Sequence, residues 1–203
     1  MIAPWFWIVA GPNGSGKTTL VRSGALTPFT GPLPELLLNP DDFARMLRDE
    51  MPEATELELV RRAQAESDSR VDRAILAHRS FLVETVLSSD KFQHRVVNAL
   101  AAGFRFGLVF VTLRAAALHV ARVADRVLEG GHDVPSDRIL ARRTRAHAAF
   151  GWFAAHAHRG LLIDNTGGLG RESGPILVAE KRDGQPAWQV YRSDLYPGLT
   201  ASL

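Results

Sequence analysis

Cysteine is missing from all 203 residues. That excludes a disulfide framework and any thiolate metal site, while leaving the redox compartment open, so the cytosol is the default expectation. Lysine is scarce, with three residues (Lys17, Lys91, Lys181) against twenty-one arginines. No internal repeat or low-complexity tract interrupts the chain. The apolar opening, Trp5 to Ala10, is too short to span a bilayer and has no basic leader, so neither a membrane span nor a signal peptide is expected. A formal charge of +2 is too close to zero to argue for a nucleic-acid partner by itself. His132, His147, His156 and His158 form no i, i+4 pair and no zinc motif, so metal binding through them is not expected.

What is present reads as an ordinary globular chain, 46% apolar and 23% charged. Its length falls near one large domain, for which about 100–200 residues is usual. Trp5–Ala10 (WFWIVA) is a continuous aromatic and β-branched run, suited to a parallel strand covered on both faces. A glycine-rich loop and a helix from Thr18 to Ser23 follow. Thr27 to Pro34 reads as loop, Leu36 to Leu38 as a short strand, and a helix is expected from Asp41 or Asp42. Between Glu53 and His78, Leu57, Val60, Ala63, Val71 and Ile75 recur at three- and four-residue spacing, which predicts one or two amphipathic helices. Phe81–Val83, Phe104–Leu113 and Leu161–Ile163 read as further strands. Ala115 to Glu129 reads as a helix, and Ser136 is a candidate cap for a second one reaching about His156. Residues 175–192 predict a terminal hairpin around Asp183-Gly184.

Strands alternating with helices imply an α/β fold: an open, mostly parallel sheet with helices on both faces and ligands beyond the carboxyl ends of the strands. One domain over 1–203 is expected. The polar residues after each strand are therefore the first candidates for chemistry.

Gly11-Pro12-Asn13-Gly14-Ser15-Gly16-Lys17-Thr18 matches G-x-x-x-x-G-K-[ST] in full, between a strand and a helix. Such a P-loop turns backbone N–H groups into an anion-binding nest at the positive end of the following helix. Lys17 offers a point charge to the β/γ-phosphates of ATP, and Thr18 offers its hydroxyl to Mg²⁺. Thr19 extends the expected contact set. Asp41 and Asp42, Glu84, and Asp164 end or follow strands and compete for the role of a base that activates an acceptor hydroxyl. Asp164 reads better as part of a turn, since Asn165-Thr166-Gly167-Gly168 follows and could border the nucleotide base. Either Asp41 or Asp42 could instead cap a helix.

Eight arginines lie between Arg114 and Arg159 against four acidic residues. Arg122 and Arg126 share a helix face, as do Arg138 and Arg142 beyond the stretch from Gly130 to Pro135. Residues 122–145 suit an arginine-rich helical lid over a transferring phosphoryl group. The rival is a nucleotide-dependent interaction module, or an RNA- or DNA-end kinase, using these arginines to grip a partner. Beyond Phe150 to Phe153 the segment lacks the interleaved aromatics that a single-stranded nucleic-acid binder uses, which ranks that reading lower.

GPNGSGKT, LLNPDDFAR, FLVETVLSS and RVADRVLEGGHDVPSDRILARR, in this order and spacing, resemble the zeta-toxin family of P-loop kinases from about Ile8 to Asn165. The resemblance implies ATP-dependent phosphorylation of a sugar hydroxyl, in that family the 3′-hydroxyl of UDP-N-acetylglucosamine, with an antitoxin protein as partner in true toxin pairs. It makes Asp41 the base and Asp42 the helix cap, assigns Glu84 and Thr85 to the sugar substrate, and gives Arg126 and Arg142 to the phosphates. Glu84 and Thr85 are adjacent here, whereas the family separates the pair by one residue.

Overall fold

The computed structural model describes residues 3–131, 133–169 and 174–203. His132, within the GGHDVP motif, lies outside the described residues. Among the described residues seven strands form one sheet: β1 (Trp5–Ala10), β2 (Leu37–Leu38), β3 (Phe81–Thr85), β4 (Arg105–Thr112), β5 (Arg159–Asp164), β6 (Ile176–Lys181) and β7 (Gln189–Val190). Their order across the sheet is β2-β3-β1-β4-β5-β6-β7. The first five are parallel, and β6 and β7 add antiparallel at one edge, which realises the expected hairpin as a sheet extension.

The central strands are buried along almost their whole length, as their unbroken apolar runs require. On one face, α1 (Lys17–Arg22) and the short α2 (Thr27–Thr30) cover Trp7, Val9, Val109, Val111 and Leu161 with Leu20 and Leu26. The other face carries α3 (Pro40–Glu50), α4 (Glu56–Leu76), α5 (Lys91–Ala101), α7 (Ser136–His156) and α8 (Pro197–Thr200), packed over Phe6, Ile8, Phe81, Phe106 and Phe110. Helix α6 (Ala116–Leu128) meets α7 through Val123, Val134 and Ile139. Among the described residues no helix is long and apolar enough to cross a membrane.

Several local expectations are corrected. The N-cap of α3 is Asn39, whose side chain accepts from the Asp41 N–H at 2.9 Å, so Asp42 is not the cap. Pro40 then occupies the first helical position, where a missing N–H costs nothing. Ser136 is likewise inside α7 rather than capping it, since Pro135 holds that place with no side-chain bond. Glu53 to His78 yields the single helix α4, opened by a Thr55/Glu58 capping box. Its buried row is Leu59, Ala63, Ser67, Val71 and Ala74, while Leu57 and Val60 are 59% and 45% exposed. Ala63 and Val71 of the expected face are thus buried, and the correction is confined to the first turn, where Leu59 enters the core in place of Leu57 and Val60. The segment read as loop holds the α2 turn, and α5 and α8 have no counterpart among the expected elements.

Candidate active site

The loop after β1 closes tightly on its surroundings. Gly11, Gly14 and Gly16 all have positive φ, at 144°, 71° and 89°. A Cβ at Gly14 would stand 2.6 Å from the His119 carbonyl oxygen, and one at Gly16 would stand 2.3 Å from Asn165 Nδ2. Glycine is thus required twice over, by backbone conformation and by the approach of neighbouring chain.

Lys17 opens α1 and is almost wholly buried. Its ammonium folds across the loop and donates to the carbonyls of Gly11 (2.8 Å) and Pro12 (3.2 Å). Burial lowers its pKa, Glu84 and Asp41 pull it back up, and the Arg126 guanidinium presses it down again. Those couplings bring Asp41 and Arg126 into the same electrostatic neighbourhood as the loop.

Strand β3 lies beside β1 with Glu84 paired to Val9 and Thr85 to Ala10, so both side chains sit next to the start of the loop. Thr18 Oγ1 donates to Glu84 Oε1 at 2.5 Å, and Asn39 Nδ2 donates to Oε2 at 3.3 Å. Burial raises the Glu84 pKa, more than Lys17 and the Thr18 hydrogen bond lower it. The Lys17 ammonium thus offsets only part of the cost of burying this carboxylate. Beside the Thr18 hydroxyl the carboxylate offers the hard oxygen donors that suit Mg²⁺, which takes one or two protein oxygens and keeps its waters. Thr85 holds the local backbone instead, its hydroxyl accepting from the N–H of Leu87, a buried residue at φ 60°.

Asp41 and Asp42, equivalent in sequence, are separated by their partners. Asp42 Oδ1 pairs with Arg22 (3.2 Å) and Arg45 (3.1 Å), two exposed arginines. Asp41 instead couples to Lys17. Asp164 is fully buried and spent on structure: Oδ1 accepts from the Thr166 N–H (2.9 Å), the Thr166 hydroxyl and the Tyr196 hydroxyl (3.0 Å), while Oδ2 pairs with Arg114 (3.0 Å). Asn165, next along, donates through Nδ2 to the Ser15 carbonyl at 2.8 Å.

Arg122 reaches the carbonyls of Asn165 (3.0 Å) and Thr166 (2.9 Å), tying α6 to the loop after β5. On α7, Arg138 is exposed and Arg142 half-buried. The neighbouring Arg143 was not singled out in the sequence, yet its charge acts on both His119 and His147. It continues the row Ile139, Arg143, His147, spaced by four, and that spacing from a buried isoleucine was the available signal. His119 on α6 was missed altogether. It is 0% exposed, its Nδ1 lies 2.8 Å from the Asn13 carbonyl oxygen, and its Nε2 is buried with no partner. Burial pushes its pKa down to about 4, and that of His147 to about 4 as well.

A family model described as AAA domain matches residues 6–149. An uncharacterized protein of Haemophilus influenzae is 28% identical over 132 residues, 65% of this chain and 87% of that protein. The structure is similar to the crystal structure of AvrRxo1-ORF1:-ORF2 with ATP, with TM-score 0.71 and 16% identity over 98% of this chain; the chain spans 64% of the length of the one it matches there. It is also similar to a structure of the PezAT chromosomal toxin-antitoxin system of Streptococcus pneumoniae, with TM-score 0.65 and 15% identity over 100% of this chain and 85% of that one. The fold is that of a P-loop NTPase-like α/β domain.

Proposed function

We propose, starting from the fact that the chain belongs to the AAA domain family, that it is a magnesium- and ATP-dependent kinase of the zeta-toxin type acting on a sugar hydroxyl. The observation that carries the reading is the cluster at the carboxyl ends of β1 and β3: Lys17 across the loop, Thr18 bonded to Glu84, and Asp41 coupled to both Lys17 and Glu84. Binding a magnesium nucleotide needs one carboxylate beside the phosphate lysine, the role open to Glu84; phosphoryl transfer to a hydroxyl needs a second, the role open to Asp41.

In this reading the loop from Gly11 to Thr18, with Thr19, holds the phosphates, and Lys17 leaves its two carbonyls to meet the β/γ oxygens. Thr18 and Glu84 would hold Mg²⁺, which when bound would offset the charge gathering on the phosphate oxygens. Asp41 accepts the proton of the acceptor hydroxyl as that oxygen bonds to the γ-phosphorus. The bond to the β–γ bridging oxygen breaks in the same exchange, and ADP leaves. Arg126 and Arg142, on the two helices of a lid over 122–145, meet the charge on the transferred group. Thr85 lines the acceptor side, and the whole of 1–203 works as one kinase domain in the cytosol.

The first acceptor to try is the 3′-hydroxyl of UDP-N-acetylglucosamine, and a protein antitoxin is the partner to seek, as the zeta-toxin resemblance suggests. Purified chain is incubated with Mg·ATP and a panel of UDP-sugars, and product is read as the mass gain of one phosphoryl group, with Lys17→Ala as blank. Phosphorylated sugar made by the wild type alone supports the reading. Absence of product across the panel, together with an Asp41→Asn variant indistinguishable from wild type in ATP turnover, ends it.

A further inference from the structure

Two peptide units of the P-loop are held from outside by side chains of other elements. The carbonyl of Asn13 faces His119 Nδ1 on α6 at 2.8 Å, and the carbonyl of Ser15 faces Asn165 Nδ2 after β5 at 2.8 Å. A carbonyl oxygen only accepts, so the histidine carries its proton on Nδ1 and donates. A trans peptide is planar, with its C=O and N–H pointing in opposite directions. Fixing the Asn13 oxygen outward therefore turns the Gly14 N–H inward, and fixing the Ser15 oxygen outward does the same for the Gly16 N–H.

We infer that His119 and Asn165 are positioning residues that preset the Gly14 and Gly16 amides for a phosphate, an inference that rests on the nucleotide-binding reading of the loop. Each is itself anchored. His119 is 0% exposed on a helix whose Arg122 and Val123 side chains also crowd Gly14. Asn165 is 3% exposed, its own N–H donates to Thr112 O at 2.9 Å, and its carbonyl accepts from Arg122. The glycines at 14 and 16 are what let the two clamps come this close. The base of α6 is thereby part of the phosphate site.

The imidazole also suits this role chemically. It is neutral across the physiological range, with a pKa of about 4, so its donor does not vary with pH near neutrality and adds no charge beneath the phosphates.

The test uses the full chain with Mg·ATP as ligand, reading affinity by calorimetry and the Gly14 and Gly16 amides by ¹⁵N-edited NMR. His119→Asn places an amide N–H where Nδ1 stood; His119→Phe keeps the ring and removes the donor. In the wild type both glycine amide protons move strongly downfield on binding. His119→Phe weakens affinity on the order of ten- to hundredfold, while His119→Asn stays within about threefold of wild type. Equal affinity in His119→Phe and wild type overturns the inference, as does equal loss in both variants, which would assign the effect to packing. Should His119→Phe not fold, the wild-type amides decide alone: silence of both while Mg·ATP binds overturns the clamp and leaves the nucleotide reading standing. A wild type with no affinity for Mg·ATP removes that reading and the clamp together.

Discussion

The hydroxyl of Thr18 donates to Oε1 of Glu84 across 2.5 Å, joining the helix after β1 to the end of β3. Glu84 is only 8% exposed, and burial raises its pKa. For a carboxyl whose folded pKa lies above its ordinary value, the folded state is penalised as pH rises from that ordinary value through the raised one. Glu84→Gln removes the penalty and keeps the shape, so thermal stability at pH 7 is expected to stay level or rise. Magnesium affinity should move the other way, falling about 10–100-fold as removal of a metal-supporting carboxylate usually does. The magnesium dependence of ATP turnover, set beside the melting temperature, checks both. A destabilised variant with unaltered magnesium dependence would assign Glu84 to structure alone.

Lys17 gives a sharper case against conservative substitution. Its ammonium fits between the Gly11 and Pro12 carbonyls in a buried site, a geometry that a planar guanidinium cannot copy. Lys17→Arg is expected to lose turnover by on the order of 10²-fold or more, close to Lys17→Ala, because one preorganised charge at developing negative charge contributes that much. Steady-state kinetics with both variants decides it; an arginine variant near wild type would mean that charge without geometry suffices.

The central sheet was legible because WFWIVA, Phe104–Leu113 and Leu161–Ile163 are too apolar to lie anywhere but inside, and the phosphate loop was legible because its chemistry is local in sequence. The face of α4 was legible only in part: Ala63 and Val71 are buried as their spacing suggested, whereas in the first turn Leu59 turns inward and the equally apolar Leu57 and Val60 stay exposed. Nor could sequence separate Asp41 from Asp42. The capping oxygen came from Asn39, before the proline, and Arg22 from another helix claims Asp42. His119 and Arg143 stayed hidden for the same reason. His119 acts on Asn13 across more than a hundred residues of chain, a distance no periodicity encodes, and Arg143, although in helical register with His147, acts also on His119 of another helix.

The two aspartates at the start of α3 should now behave unequally. Asp42 is held by two exposed arginines, and such ion pairs contribute about 0–1 kcal/mol, so Asp42→Asn is expected to leave turnover and stability nearly unchanged. Asp41→Asn should lower kcat by about 10²–10⁴-fold, the usual contribution of a general base, with Mg·ATP affinity preserved. The comparison is made on one acceptor in parallel assays. Equal losses in the two variants would place the base elsewhere.

Stability against acid should carry the mark of the two buried histidines. His119 is surrounded by Arg143, Lys17 and Arg122, and His147 by Arg143 and His119, with burial the larger cause for both. Each has a folded pKa of about 4 against an ordinary 6.5. Between those values the unfolded chain takes up a proton at each histidine and the folded chain does not. The stability they permit is full above the ordinary value and is lost as pH falls toward 4. His119→Asn keeps the bond to Asn13, and His147→Gln keeps a polar nitrogen at the place of Nε2, which lies 2.9 Å from Thr112 Oγ1. Urea titrations from pH 7 to pH 4 should show the wild type losing stability faster than the double variant, by the linkage of about two protons. Parallel curves for the two proteins would mean that the imidazoles take up their protons without unfolding, through water reaching Nε2 of His119 or through movement of Arg143.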